Sequence, residues 1–116
     1  MNPQVLFIVT GDPRTSPKPA EAIRIAAGVG TWKKADITVY LRDASVLALS
    51  EFCDEFIDED NFTRYLPIVR DFGRPIYVQK GAPLLNEIGE SPLKFEEISD
   101  DQLAGLAAKS NYVVRF

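Results

Sequence analysis

Three stretches of the chain carry residue types that do chemistry. The first is Gly11-Asp12-Pro13-Arg14-Thr15-Ser16-Pro17-Lys18. Two cations, two hydroxyls and the backbone N–H groups of a following helix suit a small anion. The plainer reading of the same residues, as an ordinary loop and helix start, comes ahead of it, and no Gly-Lys-Ser/Thr follows to make them a P-loop. The second is Cys53, the only thiol. A thiolate nucleophile needs a nearby cation or helix N-terminus. Cys53 instead has Glu51, Asp54 and Glu55 as neighbours and falls on the apolar stripe Val46, Leu49 and Phe56, so it reads as a buried, inert thiol, with a nucleophile as the alternative. The third is Gln79-Lys80-Gly81. Its lysine can hold an anion and its glutamine can hydrogen-bond a ligand; a solvent-exposed turn is the equal alternative. Glu96-Glu97 and Asp100-Asp101 receive no catalytic role, because the first pair points to opposite sides of a strand and the second belongs to a helix start.

The chain contains no histidine, which removes imidazole bases, the common triads and most zinc sites. Six of the ten residues 51–60 are acidic. They read as a solvated helix face and helix N-terminus, since nothing fixes oxygen ligands around a cation. No metal and no cofactor are expected.

The elements that hold these residues follow from periodicity. Residues 5–9 are apolar on both faces, as a central parallel strand requires. A helix is predicted from Ser16–Pro19 to Trp32, with Pro in the first turn and Lys33-Lys34 facing the negative end of its dipole. Its stripe of Ile23, Ala26, Ala27 and Gly30 is small enough for close approach to a sheet. Residues 36–41 form an alternating second strand. Residues 44–57 read as short helical turns with Val46, Leu49, Cys53 and Phe56 inward. A third helical stretch begins at Asp60 or Asn61, with Phe62, Tyr65, Leu66 and Val69 at 3.6 spacing and a stop at Gly73; Pro67 should kink it or postpone its start. Residues 75–78 form the third strand, 84–88 a short turn and 93–98 a weaker strand. Ser99 and Gln102 make a capping box, Leu103, Leu106, Ala107 and Ser110 give the following helix its inner face, and residues 112–116 close the chain as a strand.

This alternation predicts an α/β fold, a three-layer sandwich around a five-stranded, mainly parallel sheet. The simplest doubly wound order is the flavodoxin-like 2-1-3-4-5. In that order a crevice opens between strands 1 and 3, walled by Gly11–Lys18 and Gln79–Pro83 with Arg42-Asp43 near its rim. The ligand-binding set is then Gly11, Asp12, Arg14, Lys18, Asp43, Gln79 and Lys80.

A length of 116 residues fits one domain, 1–116. The apolar fraction of 46% and charged fraction of 26% are ordinary for a globular protein. The net charge of −4 disfavours nucleic-acid and anionic-membrane partners. That charge is uneven: residues 1–50 carry six Lys/Arg against four Asp/Glu, and residues 51–116 seven against thirteen. A small anion therefore belongs in the first half or beside an isolated base of the second. A single cysteine makes no internal disulfide, and no apolar run approaches the length of a membrane span, so a cytoplasmic setting is expected.

In four places the chain resembles the DsrE/DsrF-like family, which includes the small TusD-type and TusB-type subunits of sulfur relays. Val5–Gly11 with the Ala-rich helix 20–30 is similar to the family's opening. Ile37–Leu41 with Arg42-Asp43-Ala44-Ser45-Val46 is similar to its second strand and the turn after it. Gly73-Arg74-Pro75-Ile76-Tyr77-Val78 resembles its third strand, and residues 99–116 resemble its close. The resemblance covers nearly the whole chain and implies the DsrE-like fold, a cytoplasmic setting and a homo-oligomer or a hetero-oligomer of DsrE-family subunits. Sulfur-carrying members use a cysteine just after the third strand as a persulfide. That position falls at or next to Gln79, and an amide cannot bear a persulfide. The resulting expectation is a non-catalytic binding or accessory subunit associated with sulfur relay. The alternatives are a sulfur carrier using Cys53 and a binder of a nucleotide or other phosphorylated ligand at Gly11–Lys18.

Overall fold

The computed structural model describes residues 2–32 and 34–116. Strands β1 (Gln4–Val9), β2 (Asp36–Leu41), β3 (Ile76–Gln79), β4 (Phe95–Ile98) and β5 (Tyr112–Arg115) alternate with helices α1 (Lys18–Thr31), α2 (Glu59–Arg70) and α3 (Asp100–Lys109). Short 3-10 segments at Asp43–Leu49 and Pro83–Glu87 occupy the regions expected to hold helical turns. All neighbouring strands are parallel, and the order across the sheet is β4-β3-β2-β1-β5.

The α/β class and the parallel sheet agree with the sequence reading; the strand order 2-1-3-4-5 does not. The chain steps in one direction from β1 through β2 and β3 to β4. Only then does α3 carry it back across the sheet to the free side of β1. Right-handed crossovers place helices on opposite faces when the direction of travel reverses. Accordingly α1 and α2 pack on one face and α3 on the other. The physical reason lies in β2. Ile37, Val39 and Leu41 are buried on the α1 side while Tyr40 is fully buried on the α3 side. A strand covered on both faces belongs in the interior of the sheet, whereas the expected order put β2 at an edge.

On the α1/α2 face, Phe7, Val9, Val39, Leu41, Ile76 and Val78 pack against Ile23, Ala26, Ala27, Phe62 and Leu66. Small residues let α1 lie close to its neighbours. At Gly30, an added Cβ would sit 2.3 Å from the Phe72 ring. The α3 face is thinner: Leu6, Ile8, Tyr40 and Ile98 meet Leu103, Leu106 and Ala107.

The helix ends follow local rules. Ser99 Oγ accepts the Gln102 N–H at 3.2 Å, and Gln102 Oε1 accepts the Ser99 N–H at 2.8 Å, forming the expected capping box of α3. Pro19 lies in the first turn of α1. Lys33 lies outside the described residues. Pro67 sits inside α2 without ending it, and the helix starts earlier than expected, at Glu59. Gly73, at φ +84, follows the end of α2 as a left-handed stop.

Candidate functional site

In a parallel α/β sheet, ligand sites form beyond the carboxyl ends of the strands. That edge carries, in spatial order, the end of β5, the loop after β1, the Arg42–Leu49 region after β2, the turn after β3 and the start of α3. The expected crevice between strands 1 and 3 is therefore replaced by β2 and the chain that follows it. The junction is sewn shut. Arg42 donates its N–H to the Val9 carbonyl at 2.9 Å. Ser45, fully buried, places its Oγ 2.6 Å from the Val9 carbonyl and accepts the Arg42 N–H at 2.8 Å.

The predicted site residues separate into two groups. The first is the loop after β1, which holds Gly11, Asp12, Arg14 and Lys18. Its donors turn inward. Arg14 grips the Asp12 carboxylate through Nε at 3.0 Å and Nη2 at 2.9 Å, and its backbone N–H donates to the same carboxylate at 2.9 Å. The N–H groups of Thr15 and Ser16 donate to the Asp12 carbonyl at 3.1 and 2.8 Å. The Arg14 side chain holds the Asp12 carboxyl below the usual carboxylate range. Asp12 thus serves as an anion supplied by the loop itself. Ser16 Oγ accepts the Lys18 N–H at 3.2 Å, and the Lys18 residue is exposed. Gly11 eases a close approach, since a Cβ there would stand 3.2 Å from the Pro19 ring.

The second group gathers Asp43, Gln79 and Lys80. The Gln79 side chain accepts the Asp43 N–H at 2.9 Å. Asp43 opens its 3-10 segment in the left-handed region, at φ 55, a conformation that costs an L-residue unless the surroundings hold it. Lys80 donates its backbone N–H to the Ile98 carbonyl at 3.0 Å, tying the turn after β3 to β4. Its side chain belongs to an exposed residue. Glu97 Oε1 accepts the Gly81 N–H at 3.4 Å.

A third cluster adjoins the second and was not read as one from the sequence. Arg42 Nη1 donates to the Tyr40 hydroxyl at 3.0 Å and to Asp100 Oδ1 at 2.8 Å. Burial raises the Tyr40 hydroxyl above its ordinary range. The hydrogen bond from Arg42 lowers the Asp100 carboxyl, and the same contacts raise the guanidinium. Asp100 reads in sequence only as part of a cap, and Tyr40 only as a strand residue. Nothing in the spacing joins residues separated by 58 positions.

Cys53 lies on the connection from β2 to α2, between the Asp43–Leu49 segment and Glu59. It is half-buried, with Sγ 3.7 Å from the Ser50 carbonyl. Burial, then the charges of Asp54 and Glu59, push its thiol above the ordinary range. It lines a cleft of about 440 Å³ with Leu49, Phe52, Phe62, Leu66 and Arg70. The apolar stripe is as expected for Val46 and Leu49, which are buried; Phe56 is half-buried. Among the described residues, no group of three or more His, Cys, Asp or Glu is placed to hold a metal ion. Among them, no helix is long and apolar enough to cross a membrane.

Neither family models nor curated proteins give a match to this chain. Among solved structures it is similar to the ychN protein from E. coli, with a TM-score of 0.79 and 20% identity over 100% of both chains. At that identity the likeness establishes the shared fold.

Proposed function

We propose that this chain is a non-catalytic, DsrE-like binding or accessory module that works in an oligomer beside a cytoplasmic sulfur relay. The observation that carries the reading is the state of Gln79 at the end of β3. The position where relatives resembling this chain mount a persulfide cysteine holds an amide. That amide's oxygen is used to hold the Asp43 N–H. The residue is a brace between two strand ends and carries no nucleophile. The full-length likeness to the ychN protein supports the frame; the DsrE/DsrF-like resemblance supports the setting.

The single thiol supports the same reading. Sulfur transfer from a persulfide donor requires a thiolate to attack the outer sulfur and release the donor thiol. Cys53 holds its proton more tightly than a free cysteine, because burial and the two neighbouring carboxylates disfavour the anion.

The test is persulfide loading. Wild-type protein treated with a persulfide donor, then alkylated and analysed by mass spectrometry, should retain no sulfane sulfur. Sulfur that loads on the wild type and disappears in Cys53→Ser would replace this reading with that of a carrier.

A further inference from the structure

The two edges of the sheet are built differently. At one edge, β4 exposes Glu96 and Glu97 after an exposed Lys94. Charged side chains on an edge strand discourage pairing with another chain. At the other edge, β5 has one charged residue, Arg115, and presents Tyr112 at 63% exposure and Val113 at 39%. The polar groups it turns outward follow from its register. Phe116 donates its N–H to the Ile8 carbonyl and accepts the Thr10 N–H, so its polar groups face β1. Along a strand, alternate residues address the same neighbour. Val114 therefore also faces β1, and Val113 and Arg115 turn their N–H and C=O groups away from the sheet.

We infer that β5 is the pairing edge of a two-fold dimer, in which a second copy of this chain adds its own β5 antiparallel and continues the sheet. The strand is complementary to itself. A two-fold axis through Val113 lets the two Val113 residues exchange both N–H···O=C bonds. It sets Tyr112 opposite the partner's Val114 on the α1/α2 face, an aromatic against a β-branched residue, a favourable cross-strand pair. Arg115 comes opposite the partner's Asn111, whose N–H and side-chain oxygen are already engaged by Gln4 of its own chain, so the two arginines never meet. On β4, a two-fold axis through the outward-facing Glu97 would bring two glutamates together. The inference deepens the oligomeric part of the proposed function and is independent of whether sulfur is carried.

The test is sedimentation of the full chain over a concentration series. The wild type should show a monomer–dimer equilibrium. Val113→Pro removes the outward N–H and no donor to β1, so the monomer fold, followed by circular dichroism, should survive. Val113→Lys places a charge on the two-fold axis. Each should weaken dimerisation by at least about tenfold, as loss of a pair of hydrogen bonds or a like-charge contact requires. Glu96→Lys, at the opposite edge, should leave it unchanged. Should Val113→Pro fail to fold, Val113→Lys alone decides. A wild type that stays monomeric throughout, or dimerises as tightly with Lys at position 113, overturns the pairing while leaving the role of Gln79 untouched.

Discussion

The side-chain oxygen of Gln79 lies 2.9 Å from the backbone nitrogen of Asp43 and fixes a left-handed residue at the end of β2 to the end of β3. This contact turns a position suited to chemistry into a structural tie. Gln79→Ala should lower stability by about 0.5–1.5 kcal/mol, the ordinary net worth of one hydrogen bond. Asp43→Gly should be neutral or stabilising by up to about 1 kcal/mol, because glycine takes φ 55 without strain. Asp43→Val should cost about 1–3 kcal/mol for the same backbone reason. Urea unfolding of the single variants and of Gln79→Ala/Asp43→Gly checks whether the pair is coupled.

Two glycines of α1 make a sharper contrast. Gly28 faces open space, so Gly28→Ala should stabilise by roughly 0.5–1 kcal/mol through helix propensity. Gly30→Ala would drive a methyl group to 2.3 Å from Phe72 and should destabilise by about 1–3 kcal/mol or more. Gly30→Ala combined with Phe72→Leu should recover part of the loss. Thermal melts of the three variants test this.

Acid should unfold the protein through identifiable carboxylates. Asp12 is held low by Arg14, Asp36 by Gln4 and Arg74, and Asp100 by Arg42. Each has a folded value below its unfolded one, so the native state binds the proton less tightly. The stabilisation is complete above the unfolded value, at about pH 4, and is lost as pH falls through the folded values. A stability profile should therefore be flat near neutrality and fall on acidification. Asp12→Asn and Asp100→Asn should each flatten that fall.

Cys53 should react slowly with a maleimide or disulfide reagent at neutral pH and speed up only in alkaline solution. Burial is the larger cause of its raised pKa. Asp54→Asn with Glu59→Gln should therefore shift the labelling profile down only slightly. The neutral thiol is favoured by the folded state, so its contribution to stability is present below the unfolded value and disappears as pH rises through the folded one. A fast neutral-pH reaction in the native protein would contradict the inert reading.

Inorganic phosphate should produce no shift in melting temperature, because Arg14 and the Thr15 and Ser16 N–H groups of the loop after β1 are already held by Asp12. Asp12→Asn removes that internal counter-charge and should make the melting temperature respond to phosphate. A response of the wild type that disappears in Arg14→Ala would restore the anion-site reading of Gly11, Arg14 and Lys18.

Local signals in the chain proved legible and distant ones did not. The capping box at Ser99 and Gln102 is written within four residues and formed as read. The apolar run through Phe7 announces a strand covered on both faces, and β1 has a neighbour on each side. Strand order depends on which strands are interior, and β2 concealed this. Its alternation suggests one wet face, yet Tyr40 fills that face with an apolar ring whose hydroxyl is met by Arg42. The same blindness hid the link between Arg42 and Asp100 and the one between Asp43 and Gln79, because the partners are brought together by crossovers. Pro67 misled for a local reason: a single lost N–H bond is outweighed by the packing of Phe62, Leu66 and Val69 on either side of it.

The pairing of β1 with β5 joins Gln4 to Asn111 across 107 positions. Pairing over so long a span slows folding, and β5 is expected to dock after the rest of the sheet. Amide exchange should then show the last strand opening well before its neighbour β1 does. Each such opening bares the flank of β1, with Leu6 and Phe7, to any passing strand. A second copy clasping β5 from outside would hold that hinge closed, and crowded conditions would favour the native pair over the aggregate.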